Sequence, residues 1–138
     1  MYYRSTFIVA SLLLMIFFRP ASAEVDMKNG MWEVTTKWEI PGMPMGMEMS
    51  SAKFNQCLTD ENNVPRSNGE NGECKITHSE VNGNTVFWEM QCTGQGQDMT
   101  GIGKITYSGD TFTGGMTIEA EGMNMTQHLS GRRIGDCK

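Results

Sequence analysis

Cys74-Lys75-Ile76-Thr77-His78-Ser79-Glu80-Val81-Asn82-Gly83-Asn84-Thr85-Val86-Phe87-Trp88-Glu89-Met90-Gln91-Cys92 is the stretch whose reading decides the fold. It predicts a β-hairpin closed by a disulfide. Asn82-Gly83-Asn84 supplies residues that tolerate the positive φ of a tight turn. With Gly83 at the centre of a three-residue loop, Val81 pairs with Thr85 and Cys74 falls opposite Cys92. Directly opposed residues on antiparallel strands hold their Cβ atoms about 4.5–5.5 Å apart, close to disulfide geometry. That pairing leaves Cys57 to Cys137. The spacings of 17, 18 and 45 residues between successive cysteines lack the close pairs of a structural zinc site, so disulfides are the expected state.

Outward from the hairpin, the chain reads as strands separated by turn residues. Gly30 to Ile40 alternates strictly: Trp32, Val34, Thr36, Trp38 and Ile40 share one parity, and Glu33, Thr35, Lys37 and Glu39 the other. Such alternation predicts a half-buried antiparallel strand, ended by Pro41-Gly42-Met43-Pro44. A weaker strand spans Met47 to Leu58. Thr59 to Glu73 is rich in Asn, Asp, Glu and Gly and predicts a loop, with one helical turn near Thr59-Asp60-Glu61. Val86, Trp88, Met90 and Cys92 form the inward face of the hairpin's second strand. The following faces are Met99, Gly101, Gly103, Ile105 and Tyr107, then Phe112, Gly114, Met116, Ile118 and Ala120, then Met123, Met125, Gln127 and Leu129. Turns fall at Ser108-Gly109-Asp110 and Glu121-Gly122. Regular short strands of this kind predict an all-β, antiparallel up-and-down meander forming a small barrel or a strongly curved sheet. The inward-parity glycines Gly101, Gly103 and Gly114 predict strong bending.

Met1 to Ala23 reads as an export signal. Arg4 supplies the charged start, Thr6 to Phe18 the apolar run, and Ala21-Ser22-Ala23 the small-residue cleavage site, so the mature domain is 24–138. The apolar run is too short to span a bilayer comfortably, and no later stretch is apolar enough to try. Loss of Arg4 and Arg19 takes the net charge from −5 to −7, which argues against nucleic acid or an anionic membrane as partner. Periplasmic or secreted placement makes disulfides the default for all four cysteines. The core is thin. Leu, Ile, Val and Phe supply 16 of the 115 residues left after the leader, below the roughly 20% at which disorder becomes a concern. Three Trp, eleven Met and the two staples offset that deficit.

Gly30-Met31-Trp32-Glu33, Gln56-Cys57-Leu58-Thr59, Trp88-Glu89-Met90-Gln91-Cys92, Tyr107-Ser108-Gly109-Asp110-Thr111-Phe112 and Gly131-Arg132-Arg133-Ile134-Gly135-Asp136-Cys137 occur in that order. Together they resemble the small exported bacterial proteins grouped as the domain of unknown function 3617. The resemblance covers nearly the whole mature chain and implies an envelope location and a single domain of this length. It implies no activity, cofactor or catalytic residue.

Candidate chemistry is sparse. Met43, Met45, Met47 and Met49 are soft donors that suit Cu(I) or Ag(I), and they converge only if their segment bends, because same-face residues repeat at about 6.8 Å on a strand. Adaptable apolar filler is the expected role of methionine in so Leu-poor a chain. His78 and His128 sit at polar parity and read as exposed strand residues. Asn124-Met125-Thr126 matches a glycosylation sequon, which a bacterial leader discounts. Alternation sends Arg132 and Arg133 to opposite faces. No nucleophile with a base partner is present, so no enzyme and no cofactor is expected. The expectation is a monomeric binding or structural module for a small apolar ligand or an envelope protein. Trp32, Trp38, Trp88 and Met90 would be its pocket or core, and a soft-metal carrier using Met43 to Met49 is the alternative.

Overall fold

The computed structural model describes residues 24–42, 49–66, 73–94 and 97–138. The expected leader and Met43, Met45 and Met47 lie outside them. Seven strands are formed: β1 (Gly30–Glu39), β2 (Met49–Leu58), β3 (Glu73–Asn82), β4 (Thr85–Gly94), β5 (Gln97–Ser108), β6 (Thr111–Ala120) and β7 (Met123–Gly135). They make one antiparallel sheet in the order β2-β1-β7-β6-β5-β4-β3. β3 to β7 are consecutive hairpins, and the β1–β2 hairpin adds to the free side of β7. The free edges are β2 and β3, so the sheet is strongly curved but not a closed barrel.

Curvature follows from what the inner face must bury. Trp32 on β1 and Tyr107 on β5 are separated by two intervening strands, about 14 Å on a flat sheet. Their ring centroids nevertheless stand 5.6 Å apart, edge to face, and Phe112 of β6 lies 5.6 Å from Trp32 and 5.4 Å from Tyr107. Edge-to-face packing of this kind adds about 0.5–1.5 kcal/mol per pair beyond area burial. β1 shows the expected alternation, with Trp32, Val34 and Thr36 buried and their neighbours not.

The hairpin register is reached by a different route from the one expected. The turn is the two-residue Gly83-Asn84, so Asn82 pairs with Thr85 and Val81 with Val86. Gly83 has φ +59°, the geometry that a two-residue turn of type II′ asks of its first position. Counting back from that turn alone would miss the cysteine pairing by one residue. A bulge between Ile76 and His78 absorbs the difference and brings Cys74 opposite Cys92. A disulfide joins them, and a second joins Cys57 to Cys137 across 80 residues. In the chain-entropy model each contributes about 3–5 kcal/mol, the longer loop more.

One end of the curved sheet is plugged by two irregular segments, the first outside any element expected from the sequence and the second within the loop expected from Thr59 to Glu73. At this end lie the starts of β1, β4 and β6 and the ends of β2, β3, β5 and β7. Residues 24–29 run along the β5–β6 turn. Met27 bridges to Gly109 in parallel, Gly109 N donates to the Asp26 carbonyl at 2.9 Å, and Asp26 N donates to Asn84 Oδ1 at 3.2 Å. Val25 and Met27 thereby reach the core. The second plug follows β2. Thr59 and Asn62 form a short bridge around a turn rather than a helical turn, and Val64 and Pro65 are buried beyond it. The Tyr107 hydroxyl donates to the Asn63 carbonyl at 2.6 Å, and Arg66 N donates to Gln56 Oε1 at 2.8 Å. Arg132 and Arg133 go to opposite faces. Arg133 Nε donates to the Asn29 carbonyl at 3.0 Å and its guanidinium pairs with Asp136, while Arg132 stands exposed beside Glu33.

The inward glycines make room as much as bend. Trp88 lies across Gly103, its directly paired residue on β5, and a Cβ there would overlap the indole. At Gly114 the β5 backbone at Lys104 and Ile105 closes in instead. Gly103→Ala should therefore lower the unfolding free energy by about 1–3 kcal/mol. Gly135→Ala, at an open position, should change it by less than about 0.5 kcal/mol. Urea midpoints of the two variants check this.

Tyr107 is the sole tyrosine after residue 23, and burial pushes its phenol well above its ordinary value of 10.0. The unfolded chain loses the proton first, so this group's contribution is intact below about pH 10 and declines as pH rises beyond it. In an alkaline titration of residues 24–138, tyrosinate absorbance should appear in the same step that abolishes near-ultraviolet circular dichroism. Ionisation in a native, dichroic protein would contradict the burial argument.

Candidate functional site

The opposite end of the inner face is covered differently. Cross-strand pairing lays its residues out in rows. One row runs Trp38, Gln127, Met116, Gly103 and Trp88 across β1, β7, β6, β5 and β4. The next row outward runs Met125, Ile118, Gly101, Met90 and Ile76 from β7 to β3. Trp32 and Trp88 are 0% and 2% exposed and belong to the packed core, whereas Trp38 and Met90 are half-buried. Met99, Met116, Ile118 and Met125 are half-buried as well. Of the four aromatic and methionine residues named as pocket or core, the structure brings Trp38, Met90 and the edge of Trp88 to this region and places Trp32 at the plugged end.

Gly101 is the floor of the region. A Cβ at that position would meet Met90 Cγ at 2.9 Å, Met90 Sδ at 3.2 Å and Met116 Sδ at 3.3 Å. Two thioethers from strands on either side of β5 therefore lean over one glycine, and their sulfurs are no farther apart than the sum of those two distances. Long unbranched side chains reach such a gap where Leu or Val would not, and their flexibility lets the surface adapt. Met116 and Gly101 carry this arrangement, and neither was singled out as a site residue from the sequence.

Polar groups are few here and unequal. Thr36 is buried and its hydroxyl donates to the Ala52 carbonyl at 3.4 Å. Gln127 is only 4% exposed, yet its side-chain amide has no hydrogen bond to any described residue. No fully enclosed side-chain nitrogen or oxygen lacks a partner among the described residues, so the amide's free atoms border accessible space. The sequence signal was present in a weak form, as one polar residue on the apolar parity of β7.

Of the remaining candidates, Met49 opens β2 opposite Trp38, and Met43, Met45 and Met47 lie outside the described residues. His78 is exposed on the edge strand β3. His128 points outward and its Nε2 lies 2.9 Å from Glu39 Oε2. No cluster of three His, Cys, Asp or Glu side chains able to hold a metal occurs among the described residues. A shallow polar hollow on the convex face is lined by Glu33, Thr35, Lys53, Ser130, Gly131 and Arg132. Arg132 Nε is 3.1 Å and Lys53 Nζ 3.9 Å from the same Glu33 oxygen, and exposed pairs of this type contribute little.

With Gln127 only 4% exposed and no partner for its amide among the described residues, most of that amide's hydration is lost on folding, at a cost to the free protein. Gln127→Met keeps the shape and removes that cost, so the variant should be more stable than the parent by about 1 kcal/mol. A raised urea midpoint with an unchanged slope would show it, and a lowered midpoint would mean that the amide is satisfied in solution.

Among the described residues no helix is long and apolar enough to cross a membrane. Neither the curated proteins nor the solved structures contain a match to the chain. A family model described as "Protein of unknown function (DUF3617)" matches residues 27–137, from the plug strand at Met27 to the second cysteine of the long disulfide. The ordered cysteine, tryptophan and glycine motifs thus lie within one matched span, and the chain belongs to the DUF3617 family.

Proposed function

We propose that the protein is an exported, monomeric binding module of the bacterial envelope that holds a small apolar ligand against the half-covered end of its inner face. The observation that carries this reading is the contrast between the two ends of one surface. At the plugged end Trp32, Val34, Leu58, Val86, Ile105, Tyr107 and Phe112 are sealed from solvent, as a finished core should be. At the other end Trp38, Met90, Met99, Met116, Ile118 and Met125 keep part of their apolar surface accessible. Half-covered, concave apolar surface with a few polar groups is the usual make-up of a small-molecule site. Two disulfides suit an oxidising compartment, and the leader-like start of the chain supports export. No catalytic role is assigned to any residue, and no cofactor or nucleic acid enters the reading.

Binding of a hydrocarbon-like fluorescent probe to residues 24–138 tests it. Saturable one-to-one binding is expected. Met116→Lys, which puts a charge on the inner face, should weaken it by at least about tenfold. Phe87→Lys, a change at an exposed residue on the outer face, should leave it unaltered. Equal loss in both variants, or no saturable binding by the parent, would overturn the reading.

A second reading, soft-metal carriage, is favoured by one observation: the Met90 and Met116 sulfurs over Gly101. The alternative first suggested by Met43 to Met49 lies outside the described residues except for Met49. Thioethers are suitable donors for Cu(I), but two of them packed on an apolar floor are equally the filler expected of methionine. A competition titration with Ag(I) separates the two. The carrier reading requires tight one-to-one binding that Met90→Leu with Met116→Leu abolishes, and the binding-module reading expects none.

A further inference from the structure

Resting on that reading, we infer that the ligand is uncharged: an apolar molecule carrying a single neutral hydrogen-bonding group, which is met by the Gln127 amide. Among the described residues the inner face offers no partner for an ion. Lys37, Glu39, Lys75, Glu89, Lys104, Glu119 and His128 are the described ionisable residues nearest in sequence to its rows, and all are exposed on the opposite parity. Among the described residues the one inward arginine, Arg133, is at the plugged end, engaged with Asn29 and Asp136. A carboxylate or ammonium brought onto this surface would surrender its hydration with nothing to compensate it, which is the costliest kind of burial.

Gln127 supplies the opposite case. Its amide offers both a donor and an acceptor, and the other buried polar side chain at this end, Thr36, already uses its hydroxyl on the Ala52 carbonyl. Gln127 stands between Trp38 on β1 and Met116 on β6, with the Met90 and Met116 thioethers over Gly101 one row beyond. A ligand lying along these rows would set its apolar body on the methionines and its polar group at Gln127. Sites built to hydrogen-bond a polar group discriminate strongly, because an analogue lacking that group leaves the site's own atoms unpaired. An amide is matched best by a neutral group that both gives and accepts a hydrogen bond, such as a carboxamide or an alcohol.

The test uses residues 24–138 and four ligands that share one medium-length alkyl chain: the primary amide, the alcohol, the carboxylate and the ammonium. Each displaces the hydrocarbon-like fluorescent probe at neutral pH. The amide and alcohol should bind at least about tenfold more tightly than either ion. Gln127→Met should weaken amide and alcohol binding by about tenfold relative to the probe's own affinity for the same variant. Gln127→Glu should turn the preference toward the ammonium. A carboxylate that binds as tightly as the amide, or an amide affinity indifferent to Gln127→Met, would overturn the inference while leaving the binding-module reading in place. Failure of the probe itself to bind would overturn both. Should Gln127→Glu fail to fold, the Gln127→Met comparison decides alone.

Discussion

The meeting of Trp32, Tyr107 and Phe112 is the interaction on which the rest of the structure depends. Three rings from β1, β5 and β6 converge only because the sheet, with β1 paired to β7, curls around them. The cluster also needs lids. Tyr107 is tied by its hydroxyl to the Asn63 carbonyl, and the indole NH of Trp32 donates to the Lys28 carbonyl at 3.1 Å. Both tethers run from aromatic tips to irregular backbone, so two of the three residues that curve the sheet also hold the plugs that seal it.

A chain this poor in branched aliphatic residues builds its interior from a different pairing, a large side chain laid over a glycine on the next strand. Trp88 covers Gly103, Phe112 covers Gly131, and Met90 with Met116 covers Gly101. In each case the glycine stands in direct register with one of the residues above it. Phe112 over Gly131 lies at the plugged end, Trp88 over Gly103 in the first row of the other end, and the methionines over Gly101 one row farther out. The flexible thioethers thus fall where the surface is left unfinished, and the rigid rings where they are buried.

Much of the fold was legible because its signals are local. The β1 alternation, the turn glycines and the inward parity of β4 to β7 each rest on a handful of adjacent residues. The cysteine register was anticipated through a three-residue turn. The tighter turn at Gly83-Asn84 and the bulge before His78 shift the count in opposite senses and so cancel at the cysteines. What sequence patterning missed is non-local. Val25, Met27, Val64 and Pro65 belong to segments with no periodicity, and their burial depends on where the sheet's end happens to lie. For the candidate site, Trp38 and Met90 were visible as inward apolar residues. The roles of Met116 and Gln127 come from neighbours on other strands, which no single-strand pattern encodes.

The bulge at Thr77 has a consequence beyond register. β3 is a free edge, and a free edge offers its backbone donors and acceptors to any extended chain that approaches. A bulge interrupts the even spacing of those groups, so a straight incoming strand matches them on one side of Thr77 and loses step on the other. The irregularity that sets the cysteines opposite each other thus makes the edge a poor template for a second copy, and gives this side of an open sheet a built-in resistance to stacking into fibrils.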